Sequence, residues 1–102
     1  MDKEISQAWI YILRCKDNSY YVGSTTDLMR RLHEHQNGAG SECTKRRLPV
    51  ELIFSHEMPD KNQAYLVEQQ IKKWSRAKKE ALIAGDWDLL KYLAKKPKFR
   101  DD

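Results

Sequence analysis

Six consecutive apolar residues, Ala8-Trp9-Ile10-Tyr11-Ile12-Leu13, constrain this chain more than any other feature. Their β-branched and aromatic content favours a strand, and a strand sends alternate side chains to opposite faces. Both sets are apolar here, so both faces need cover. A chain of 102 residues has room for about one domain core. The remaining segments must therefore supply layers on both sides of that strand. With 40% hydrophobic residues there is enough apolar material to do so, which argues against disorder. The length leaves no space for a second core, a solenoid or a full dinucleotide-binding fold. No stretch reaches the ~20 apolar residues that span a bilayer. The opening Met1-Asp2-Lys3-Glu4 lacks the pattern of a secretory signal. The expectation is a soluble, cytoplasmic protein with no membrane partner.

The polar group Lys16-Asp17-Asn18-Ser19 reads as a turn, and Tyr20-Tyr21-Val22-Gly23 as the returning strand of a hairpin. Ser24-Thr25-Thr26-Asp27 supplies helix caps, and a helix is expected from about Asp27 to Gln36, stopped by Asn37-Gly38. The segment Ala39 to Pro49 reads as a basic loop, and Val50 to Ser55 as a third strand, followed by a turn at Pro59-Asp60. Ala64, Val67, Ile71 and Trp74 mark a helix over Asn62 to Trp74. Ser75 caps another with Ala77, Ala81 and Leu82, ending at Gly85. Asp86 is placed to cap a short final helix with Leu89, Leu90 and Leu93, and Lys95 to Asp102 is a polar tail. This gives an α+β domain, a small three-stranded antiparallel β-sheet flanked by α-helices. Residues 1–7 form a polar lead, 8–84 the domain, and 85–102 the last helix and tail.

Three polar residues occupy positions that periodicity assigns to the interior. In the first helix His35 falls on the side of Leu28 and Leu32, with Arg31 bordering it one turn earlier. Arg30, His33 and Glu34 point elsewhere, as a solvated face. In the second long helix Glu68 sits inside the stripe of Ala64, Val67, Ile71 and Trp74. A carboxylate there is either ion-paired or a metal ligand, and periodicity does not choose between them. Tyr11 and Tyr21 share a sheet face if the turn leaves an odd number of residues unpaired; packing alone would also explain both rings. Gly23 ends the second strand and permits close approach of a ligand to the backbone.

Charge and cysteine content are less selective. Nineteen Lys and Arg against fifteen Asp and Glu give +4, which permits a polyanionic partner without requiring one. Lys45, Arg46 and Arg47 in the basic loop, and Lys72 and Lys73 with Arg76, Lys78 and Lys79, are either a nucleic-acid surface or ordinary solvated charge. Cys15 and Cys43 are too few for a disulfide framework and lack zinc-site spacing; they read as one strand and one loop thiol in a reducing compartment.

These residues, in this order, resemble the GIY-YIG nuclease family. Trp9-Ile10-Tyr11 stands for its first motif and Tyr21-Val22-Gly23 for its second, with Trp9 in place of glycine and Val22 in place of isoleucine. Arg31 matches the catalytic arginine on the following helix, and His35 a position one turn on that histidine or tyrosine often takes. Glu68 matches the metal-binding glutamate, and Glu68 to Ser75 looks close to the small, single-domain bacterial branch of predicted endonucleases. No asparagine follows Asn62, although some members place one in the site.

The resemblance implies phosphodiester hydrolysis in DNA, assisted by Mg²⁺ or Mn²⁺ on Glu68; the sequence does not exclude RNA. It implies Tyr11 as activator of the attacking water, aided by positive charge from Arg31 or the metal, since an ordinary phenol has a pKa of ~10. Tyr21 would position water or phosphate, Arg31 would hold the phosphate, and His35 would bond Tyr11 or shuttle its proton. A chain this short has no room for a recognition domain, so structure-directed cutting, or a protein partner that supplies specificity, is expected. The competing expectations are a nucleic-acid-binding module without turnover and an adaptor in a DNA repair complex.

Overall fold

The computed structural model describes residues 7–85. β1 (Ala8–Arg14) and β2 (Tyr20–Thr25) form an antiparallel hairpin in which Leu13 pairs with Tyr21 and Tyr11 with Gly23. The turn between them closes on itself. The Asn18 amide donates to the Cys15 carbonyl at 2.8 Å, and the Cys15 amide to the Ser19 carbonyl at 2.9 Å. Asn18 takes a left-handed φ of 72°, a region asparagine tolerates better than most residues. With residues 15–19 unpaired the count is odd, so Tyr11 and Tyr21 share a face.

β3 (Glu51–Met58) pairs antiparallel with the other side of β1, giving the order β2-β1-β3. The apolar run is thus the central strand, as its composition required. β3 extends past the expected Ser55 because its last residues pair with the start of β1, Met58 opposite Ala8. A register shift between Ile12 and Leu13 leaves Ile53 as the extra residue, so that Ile53 and Phe54 both pack on one core while Leu52 packs on the other.

Each face has its own core. On one, Ile10 and Ile12 of β1, Val22 of β2 and Phe54 and Met58 of β3 meet Ala64, Val67 and Ile71 of α3 (Lys61–Lys72) and Leu82 of α4 (Arg76–Ile83). Burying each large aliphatic side chain here stabilises the fold by about 1.5–3 kcal/mol. On the other face, Tyr11, Leu13, Cys15 and Val50 meet Tyr21, Leu48, Leu52 and the Leu28–Leu32 stripe of α1 (Leu28–Gln36). Side-chain caps fix where these helices start: Asp27 accepts from the Arg30 amide, Asp60 from Gln63 and Ser75 from Lys78.

Two expectations need correction. The basic segment is not all loop, since α2 (Glu42–Lys45) forms one helical turn within it, with Ser41 accepting from the Thr44 amide at 3.2 Å. Four residues are too few to show periodicity. Cys43 accordingly lies in a helix, while Cys15 directly follows β1; both are free thiols. The helix expected after Asp86, with Leu89, Leu90 and Leu93, and the polar tail lie outside the described residues. No helix among the described residues is long and apolar enough to cross a membrane.

Candidate active site

Tyr11 is buried at the centre of the sheet on the α1 side, and its position depends on Gly23 across the ladder. A Cβ at Gly23 would stand 2.5 Å from the Tyr11 hydroxyl, so only glycine lets the phenol lie over β2. The close approach expected at Gly23 is therefore made by the protein's own phenol. From there the hydroxyl meets His35 Nε2 at 2.9 Å, and the far ring nitrogen, Nδ1, meets Thr44 Oγ1 at 2.8 Å. His35 and Thr44 are both fully buried. Tyr21 completes the cluster, its ring centroid 5.1 Å from that of His35 and 6.4 Å from that of Tyr11.

Burial dominates the electrostatics. It pushes the Tyr11 phenol up to about 12, against the downward pull of the Arg31 guanidinium. Burial, reinforced by Arg31, also holds His35 below its ordinary value, so the imidazole is neutral near pH 7. In the free protein desolvation is a larger influence on the Tyr11 phenol than Arg31.

Arg31 lies at the edge of this cluster, half-buried. Its Nη1 donates to Glu34 at 2.9 Å and its Nη2 to the Gly40 carbonyl at 3.0 Å. With a further hydrogen bond to the Tyr11 hydroxyl, three of its five donor directions are used. Glu34, assigned by periodicity to the solvated face, instead steadies this arginine and also pairs with Arg30 at 3.3 Å.

Glu68 approaches from the other face of the sheet. Successive residues of β2 point opposite ways, so Gly23 faces Tyr11 whereas Ser24 faces α3. The Ser24 hydroxyl donates to Glu68 Oε1 at 2.5 Å, and Lys72 Nζ lies 2.8 Å from Oε2. Glu68 lies within coulombic range of the Tyr11 phenol across the edge strand, as the weakest of the influences on it. Glu68 is ion-paired, but with an exposed lysine and not a buried arginine.

No group of three or more His, Cys, Asp or Glu among the described residues could enclose a metal ion. Glu68 still fits a hard divalent cation. Its carboxylate is fixed by Ser24 and already holds a cationic group, and Mg²⁺ is commonly bound by one or two carboxylates plus water and substrate phosphate.

The basic candidates divide. Arg47 joins Asp17 of the hairpin turn at 2.8 Å and donates to the Cys43 carbonyl at 2.9 Å, tying α2 to the sheet. Lys72 is engaged by Glu68, while Lys45, Arg46 and Lys73 are exposed. Sequence reasoning missed Ser24, Gly40 and Thr44. Ser24 near the end of β2, Gly40 in a loop and Thr44 in a single helical turn carry no periodic signal, although the cap placement of Ser41 three residues before Thr44 could have pointed to Thr44.

The chain is similar to known proteins in sequence and in fold. The GIY-YIG catalytic domain matches residues 7–81. A UPF0213 protein of Streptococcus pneumoniae is 41% identical over 88 residues, covering 84% of this chain and 89% of its own. One from Bacillus subtilis is 44% identical over 80 residues, covering 78% and 81%. The solution structure of a UPF0213 protein from Bacillus halodurans superposes with a TM-score of 0.51 at 39% identity, covering 79% of this chain and 89% of that one. With most of its length matched in sequence and in fold, this chain belongs to the GIY-YIG catalytic-domain family, alongside its small UPF0213 members.

Proposed function

We propose that this protein is an endonuclease that hydrolyses phosphodiester bonds in DNA with the help of Mg²⁺ or Mn²⁺, directed by nucleic-acid structure more than by sequence. The observation that carries the reading is the buried Tyr11–His35 hydrogen bond set beside Arg31, within electrostatic reach of Glu68. Phosphodiester hydrolysis requires a deprotonated water, stabilisation of charge on the phosphoryl oxygens and help for the leaving oxygen. The Arg31 fork holds the phosphate and meets its developing charge. Tyr11 takes the proton of the attacking water. Because burial keeps the phenol protonated, Tyr11 can do so only as its own proton passes to His35, whose Nε2 is 2.9 Å away. Tyr21 orients the water or phosphate.

Glu68 would hold the metal ion, with Ser24 fixing the carboxylate and Lys72 leaving Oε2. When bound, the ion supplies positive charge to the scissile phosphate and the leaving oxygen. Lys45, Arg46, Lys72 and Lys73 position the nucleic-acid backbone, giving affinity that falls with added salt. Arg47 does so less, because Asp17 engages it.

The test is cleavage of plasmid, branched DNA and RNA substrates with Mg²⁺ or Mn²⁺, beside the Glu68→Ala variant. The reading predicts metal-dependent cleavage that the variant loses. Salt-dependent gel shifts without cleavage would support a binding module, and neither result would support an adaptor.

A further inference from the structure

We propose that Thr44, held by Ser41, is a positioning residue that fixes His35 in the Nδ1–H tautomer, so that Nε2 faces Tyr11 as a proton acceptor. The inference rests on the nuclease reading for its catalytic consequence. The tautomer itself follows from counting donors and acceptors.

The Tyr11 hydroxyl has one proton to give. Arg31, the charged neighbour on α1, offers donors only, to Glu34, to the Gly40 carbonyl and to the Tyr11 oxygen itself. His35 Nε2, 2.9 Å away, is therefore the acceptor for the phenol proton. A neutral imidazole that accepts at Nε2 carries its proton on Nδ1, which then donates to Thr44 Oγ1 at 2.8 Å. The Thr44 hydroxyl in turn has Ser41 Oγ at 3.1 Å and the Ser41 carbonyl at 3.4 Å as acceptors. Every polar atom of the chain is satisfied in this direction. In the reverse direction Nε2–H would point at the phenol oxygen and leave the phenol proton facing a cation.

The surroundings are built to hold this arrangement. Ser41 caps α2 by accepting the Thr44 amide, so one short turn both places Thr44 and receives its hydroxyl proton. Gly40 lies against the imidazole, where a Cβ would come 2.6 Å from His35 Cγ. The ring cannot move toward that side. The Tyr21 ring also packs against it, 5.1 Å centroid to centroid. The imidazole is thus packed against a glycine and an aromatic ring, with one hydrogen bond at each nitrogen. As Tyr11 gives its proton to Nε2, the ring becomes doubly protonated and its Nδ1–H bond to Thr44 is retained. No group rearranges during the transfer, which is the advantage of fixing the tautomer beforehand.

The experiment is long-range ¹H–¹⁵N correlation NMR of the free, ¹⁵N-labelled protein near neutral pH, without DNA or metal, on wild type, Thr44→Ser and Thr44→Val. The expected result is protonated Nδ1 and bare Nε2 for His35 in wild type and Thr44→Ser. Thr44→Val should populate the Nε2–H form. In cleavage, Thr44→Val should lower kcat about 10- to 100-fold, at the lower end of proton-transfer contributions, with KM nearly unchanged, and Thr44→Ser should restore it. An Nε2–H tautomer in wild type overturns the proposal even if Thr44→Val fails to fold. A Thr44→Val protein that keeps both the wild-type tautomer and the wild-type kcat also overturns it. Because the tautomer is read without substrate, absence of cleavage would refute the nuclease reading while the tautomer result still decides the role of Thr44.

Discussion

Gly40 has no room for a side chain, and that single restriction shows how tightly His35 is held. Gly40→Ala must move either the imidazole or the loop that carries the acceptor for Arg31. Overpacking of this kind costs about 1–3 kcal/mol. Urea unfolding should show a loss of that size, and wild-type stability in the variant would mean the loop yields freely. His35 makes a second prediction. Its folded-state pKa is depressed by burial and Arg31, so below the ordinary histidine pKa of ~6.5 the unfolded chain takes up a proton that the native state refuses. This contribution to stability is intact above that pH and is lost as pH falls toward the folded pKa. Between about pH 7 and pH 5 wild type should lose more stability than His35→Gln, measured as unfolding midpoints. Parallel curves for the two proteins would contradict it. At this scale Arg31, His35 and Glu68 were readable because each breaks an apolar stripe. Thr44, Gly40 and Ser24 were not, because what makes them matter is a partner across the fold.

Elements were the most readable level, and the reasons are physical. The all-apolar β1 required cover on both faces and has it, and the α1 and α3 stripes matched their buried sides. The one turn of α2 escaped notice, yet it supplies Thr44. The i, i+4 geometry of α3 carries a further prediction. Lys72 and a metal ion compete for Glu68 Oε2. Lys72→Met should therefore bind Mn²⁺ in the free protein about two- to fivefold more tightly, the scale of a half-exposed helical ion pair. Electron paramagnetic resonance of free Mn²⁺ would read this directly. Unchanged affinity would mean that the ion does not use that oxygen.

At the scale of the whole molecule, the candidate site straddles an edge strand. Tyr11, Tyr21, Arg31 and His35 occupy the α1 side of the sheet and Glu68 the α3 side, with only Gly23 and Ser24 of β2 between them. Alternation along the strand allowed Tyr11 and Tyr21 to be placed together, but no periodicity within one element could show that Glu68 meets β2 at Ser24, next to the Gly23 that Tyr11 covers. Assembly of these two halves into one phosphodiesterase centre is the central claim. It is tested most directly by single-turnover cleavage of DNA with Mg²⁺, comparing wild type with Tyr11→Phe, which removes only the phenol oxygen. The account predicts metal-dependent cleavage by wild type and a rate lower by about 100-fold or more in Tyr11→Phe, with DNA binding retained. Cleavage by Tyr11→Phe at the wild-type rate, or none by wild type, would contradict it.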